Sequence, residues 1–100
     1  MAFNNNTNRV NLKGYVLSDV EQTNEYSVEF QIAVPRKAAP GAKVYSDIFT
    51  VYVNNSAVCT FCKEHLKKSV TITVKGELRN FYNGDIKICS DDIQLSSKKK

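Results

Sequence analysis

The segment Tyr26-Ser27-Val28-Glu29-Phe30-Gln31-Ile32-Ala33-Val34-Pro35 alternates apolar and polar side chains. Val28, Phe30, Ile32 and Val34 fall in one phase, with Ser27, Glu29 and Gln31 in the other. Period two is the mark of a strand with one buried face. Val44-Tyr45-Ser46-Asp47-Ile48-Phe49-Thr50-Val51-Tyr52-Val53 repeats it, with Phe49, Val51 and Val53 set against Ile48, Thr50 and Tyr52. Arg36, Lys37 and Lys43 lie between the two runs, and Pro40-Gly41 turns the chain. Residues 26–53 therefore read as a long hairpin with a basic loop. The rest of the chain is expected to complete a small barrel around it.

Towards the amino terminus, residues 9–20 read as a first strand. Val10, Leu12, Gly14 and Val16 share one phase, with Asn11, Lys13 and Tyr15 in the other. Gly14 inside it predicts a bulge or sharp bend, where one strand serves two sheets. Residues 21–25 are polar and predict a turn. On the other side, Asn54-Asn55-Ser56 breaks the alternation and supplies helix-capping oxygens. A helix is expected over residues 57–68, with Ala57, Val58, Phe61, Cys62 and Leu66 as its apolar stripe and Lys67 and Lys68 at its carboxyl end. Residues 69–78 return to period two, with Val70, Ile72, Val74 and Gly76 inward. Asn83-Gly84 predicts a type I′ hairpin turn. Residues 85–95 form the last strand, with a bend at Asp91-Asp92. The order of strands and helix predicts an all-β fold: a five-stranded OB-fold, a Greek-key barrel with one short helix between strands three and four.

One hundred residues make one domain. We read residues 1–7 as a flexible leader, 8–95 as the barrel and 96–100 as a basic disordered tail. No run approaches the roughly 20 apolar residues of a membrane helix, and the Asn-rich start lacks the apolar core of a signal peptide. These features predict a cytoplasmic protein with no membrane association. Cys59, Cys62 and Cys89 are odd in number, which fits reduced thiols there. The formal net charge is +4, from fourteen basic and ten acidic residues. Lys98, Lys99 and Lys100 supply most of that excess, so clustering decides more than the total. Residues 30–46 hold three basic side chains and no acidic one.

Four segments resemble the bacterial-type single-stranded DNA-binding protein (SSB) family. They are Asn8-Arg9-Val10-Asn11-Leu12-Lys13-Gly14; Phe30-Gln31-Ile32-Ala33-Val34 followed by Arg36; Ser46-Asp47-Ile48-Phe49; and Lys67-Lys68-Ser69-Val70-Thr71-Ile72-Thr73-Val74-Lys75-Gly76-Glu77-Leu78-Arg79. They occur in the family's order. The resemblance implies an OB-fold, binding of single-stranded DNA and a homo-oligomer, tetrameric or, in primosomal relatives, dimeric. The chain departs from the pattern in three places. It has no tryptophan, Ile48 stands where the family has a stacking aromatic, and the end is basic rather than acidic. A mobile-element, phage or primosomal relative is the implied variant.

Outward aromatics beside cations suit single-stranded nucleic acid, because every base offers a face to stack. Tyr15, Tyr45, Tyr52, Phe81 and Tyr82 are the candidate stacking residues, with Ile48 at the family position. Arg9, Lys13, Arg36, Lys37, Lys43, Arg79 and Lys87 are the candidate phosphate contacts. Cys59-x-x-Cys62-x-x-His65 has the look of a metal motif, but on a helix Cys59 and His65 stand about 9 Å apart along the axis. No metal or cofactor is expected. Asp91 and Asp92 are adjacent on a strand and cannot pair as acid and base, so no enzymatic activity is expected. The reading is sequence-tolerant binding of single-stranded DNA in replication, recombination or repair. The alternatives are a primosomal or recombination accessory that acts through protein contacts, and an OB-fold for RNA or an oligosaccharide.

Overall fold

The computed structural model describes residues 7–96. The leader expectation for residues 1–6 and the tail expectation for 97–100 lie outside the described residues. Ser96 itself donates its backbone N–H to the Thr71 carbonyl at 3.0 Å.

Six strands and one helix follow in the order β1 Val10–Val16, β2 Glu21–Asn24, β3 Ser27–Pro35, β4 Ser46–Val53, α1 Ser56–His65, β5 Thr71–Asn80 and β6 Ile86–Leu95. They form one sheet ordered β1-β5-β6-β4-β3-β2, and β1 pairs back onto β3. That last pairing closes five of the strands into a barrel. Alternation drives the closure. Val28, Phe30 and Ile32 of β3, Val51 and Val53 of β4, Ile72 and Val74 of β5, and Ile88 and Ile93 of β6 all point into one buried core. The β4–β6 pairing is parallel, with Val51 opposite Ile88 and Tyr52 opposite Cys89.

Four details differ from the sequence reading. The polar segment at residues 21–24 is a strand, so the helix follows the fourth strand of the chain rather than the third. All four β2 residues are exposed, which is why no apolar phase marked them; β2 is held by pairing to β3. The first strand ends at Val16, because Leu17 turns to donate to Gln31 O and Ser18 Oγ accepts from the Gln31 N–H. The helix stops at His65, and Lys67 and Lys68 lie beyond it. The β5–β6 hairpin has only Gly84 at positive φ, so its turn is not type I′. Phe81 O accepts from the Gly84 N–H, and the Phe81 N–H donates to Asp85 O.

Gly14 carries no register shift against β5. It lies where β1 begins to pair with β3, and a Cβ there would stand 2.4 Å from the Ala33 carbonyl oxygen. Only a residue without a side chain lets the two strands meet. The expected bend at Asp91-Asp92 is a bulge: Lys75 pairs with Asp92 and Gly76 with Ser90, leaving Asp91 as the extra residue.

The helix caps one end of the barrel. Asn55 is its N-cap, accepting from the Val58 N–H at 3.1 Å. Cys59, Cys62 and Leu66 face the core, so the buried stripe includes Cys59, while Ala57 is exposed. Cys59 Sγ donates to the carbonyls of Val53 and Tyr26 at 3.3 and 3.4 Å. Burial pushes the Cys62 thiol up to about 12. These two cysteines are packing groups, and His65 lies against the Phe61 ring with 4.8 Å between centroids.

Candidate nucleic-acid interface

The outward phase of the β3-β4-β6-β5 wall carries several of the candidate side chains. Strand pairing sets the order across it. Glu29 of β3 lies opposite Tyr52 of β4, Tyr52 opposite Cys89 of β6, and Cys89 opposite Glu77 of β5. Arg79 lies opposite Lys87 on the same face.

Tyr52 and Phe81 form an edge-to-face pair, with ring centroids 5.2 Å apart and planes at 69°. Lys87 Nζ stands 4.5 Å from the Phe81 centroid and also bonds to Glu29. Tyr82 follows at the hairpin tip, fully exposed. Three shallow depressions share walls around these residues. One of about 300 Å³ is lined by Tyr52, Asn54, Arg79, Asn80, Phe81 and Cys89. A second of about 430 Å³ shares Asn54, Arg79 and Cys89 and adds Asn8, Arg9 and Asp91, among others. A third of about 410 Å³ shares Asn80 and Phe81 and ends at Tyr82. Together they make an elongated track from Arg9 to the hairpin tip.

The structure thus brings together Arg9, Tyr52, Arg79, Phe81, Tyr82 and Lys87 among the sequence-derived candidates. Arg36, Lys37, Lys43, Tyr45 and Ile48 form a separate group at the β3–β4 loop. Ile48 is four residues from Tyr52, about 13 Å along the strand. Tyr45 and Ile48 are 61% and 57% exposed, a surface available to a ligand. Lys13 and Tyr15 are on β1, separated from β4 by β3 on one side and by β5 and β6 on the other: Tyr15 pairs with Ala33, and Ala33 with Ile48. Tyr15 is half-buried and Lys13 exposed.

Carboxylates meet three of the candidate cations. Arg36 binds Asp47 through Nε and a terminal nitrogen at 3.0 and 2.6 Å. Residues 30–46 hold no acid, and Asp47 lies one residue beyond them. The hydrogen bond and charge of Asp47 raise the Arg36 pKa, and Arg36 in turn holds the Asp47 carboxyl below its ordinary value. Arg79 is paired with Glu77, two residues away on the same face, which raises its pKa. Lys87 is paired with Glu29. Among the described residues, Arg9, Lys13, Lys37 and Lys43 have no ion pair.

Sequence reasoning missed Glu29, Asn8 and Asn54. Asn8 imitates a strand pairing: its amide donates to Leu78 O at 2.8 Å and accepts from the Leu78 N–H at 2.9 Å. It thereby sets Arg9 at the edge of the track. Glu77-x-Arg79 was legible as a same-face pair from strand periodicity alone.

No known family's sequence profile matches this chain, and no curated protein matches it by sequence. Solved structures do match in fold. The small single-stranded DNA-binding protein of Streptomyces coelicolor superposes with a TM-score of 0.75 at 22% identity, over 91% of this chain and 95% of that one. The fold is an OB-fold. The SSB of Plasmodium falciparum, solved in complex with ssDNA, gives a TM-score of 0.74 at 17% identity, covering 96% of this chain and all of that one. The mitochondrial single-stranded DNA-binding protein Rim1 of Saccharomyces cerevisiae gives 0.67 at 16% identity, over 95% and 99%. The resemblance read in four sequence segments and the three-dimensional likeness thus point to the same OB-fold.

Proposed function

We propose that this chain is a single-stranded DNA-binding protein of the SSB type, binding with little sequence preference. The observation that carries the reading is the Tyr52–Phe81 pair on the outward wall, set in a track that runs between Arg9, Arg79 and the exposed Tyr82. Stacked rings accept any base, and cations at the rim neutralise phosphates. A duplex hides its base faces, so the same surface favours single strands. The likeness in fold to proteins named for binding single-stranded DNA supports the assignment. With Ile48 in place of an aromatic, stacking shifts to Tyr52 and the β5–β6 hairpin, and the β3–β4 loop contributes Arg36, Lys37 and Lys43 as charge. We place the protein in replication, recombination or repair, in the cytoplasm, as a dimer or tetramer.

Fluorescence anisotropy with labelled poly-dT and a duplex of equal length, at two salt concentrations, tests this. The expected result is tight, salt-sensitive binding of poly-dT and much weaker binding of duplex. Equal, weak binding of both would remove the proposal. Light scattering on the same samples reports the oligomer.

A further inference from the structure

The Glu29–Lys87 ion pair is unlike the other two that hold candidate cations. Its side chains are 23% and 17% exposed, against 41% and 64% for Asp47 and Arg36, and 38% and 61% for Glu77 and Arg79. Water screens the exposed pairs, so an arriving phosphate exchanges with their carboxylates at little cost. In the half-buried pair the attraction is less screened, and opening it leaves a partly desolvated carboxylate without a partner. The pair also stands beside the two aromatic rings that line the track. Glu29 is opposite Tyr52 on β4, and Tyr52 is opposite Cys89, two residues along β6 from Lys87. The ammonium is held from two sides, by this carboxylate and by the Phe81 ring at 4.5 Å.

The geometry points to Glu29 as an affinity-limiting residue of the site: by neutralising Lys87 and fixing it over Phe81, it withholds that cation from the phosphates of a bound strand. This rests on the single-stranded DNA reading above and deepens it. Glu29 acts through Lys87 and is a positioning residue, with no contact to the strand required. Phosphates are left to Arg9, Lys37 and Lys43, and to Arg36 and Arg79, whose exposed carboxylates exchange. The outcome is a binder that lets go of its strand more readily than its count of cations implies.

The readout is the slope of log affinity against log salt for a dT oligomer, in which each phosphate neutralised on a single strand contributes about 0.7. Glu29→Gln is expected to steepen the slope by about 0.7 and to tighten binding several-fold at low salt. Adding Lys87→Gln to that variant returns the slope to the wild-type value. Lys87→Gln alone flattens the wild-type slope by less than half of the same step, because Glu29 already neutralises that charge. An unchanged slope in Glu29→Gln, with wild type still binding dT, overturns the inference and leaves the function standing. A full step of about 0.7 lost in Lys87→Gln alone does the same, and that arm decides the matter if circular dichroism shows Glu29→Gln unfolded. Wild type that fails to bind dT overturns the underlying reading and this one with it.

Discussion

Tyr52 is half-buried with its ring edge-on to Phe81, so it is braced before any ligand arrives. A braced ring loses little rotamer freedom when a base stacks on it. Tyr52→Ala is expected to weaken dT binding by about 1–3 kcal/mol, roughly ten-fold or more, with the strand content retained by circular dichroism. Charge at single residues is equally specific. Arg36 holds the Asp47 carboxyl below the ordinary 3.8. A carboxyl lowered on folding contributes stability above its unfolded value and loses it as pH falls through the lower, folded one. The expected result is an NMR titration in which Asp47 remains ionised below pH 3.8, and in which Arg36→Gln returns it to the ordinary range. At this scale the outward phase of Tyr52 was plain from alternation, as was the same-face spacing of Glu77 and Arg79. The contacts of Glu29 were not. They depend on which strands pair and in which register, and Glu29 and Lys87 are 58 residues apart in the chain.

Among the elements, the helix was legible and its end was not. The Asn55 cap followed from chemistry, since its side-chain oxygen satisfies an amide with no helical partner. Asn55→Ala is expected to cost about 1 kcal/mol, read as a lower midpoint in urea unfolding. The carboxyl end defeated the periodicity reading. Leu66 is buried and continues the apolar stripe, yet its backbone is already extended, at φ −94° and ψ 117°, as it leads towards β5. Strand β2 was invisible for the opposite reason: a fully exposed edge strand has no hydrophobic phase to read. The β5–β6 hairpin was found from Asn83-Gly84, but the turn places only Gly84 at positive φ, so the dipeptide located the turn without specifying its type.

At the scale of the whole molecule, the barrel closes through the parallel β4–β6 pairing and the return of β1 onto β3. Alternation within segments cannot announce either contact. The order of elements and the four family-like segments made the closure legible, and Gly14 marked the place where β1 changes partner. Closure is also what assembles the track. Arg9 precedes β1, Tyr52 is near the end of β4, and Arg79 to Tyr82 belong to the β5–β6 hairpin, so these three parts are far apart in sequence. The basic loop that dominated the sequence stands apart from the track, and its Arg36 is already paired with Asp47. The central claim is that a single strand lies on the outward wall of β4, β6 and β5. Backbone amide NMR shifts on titration with a short dT oligomer test it most directly. The largest changes are expected on Arg9, Thr50, Tyr52, Arg79, Phe81, Tyr82 and Cys89, with Val58 to Glu64 in the helix unmoved. Changes concentrated on the helix and β2, with Tyr52 and Phe81 silent, would contradict it.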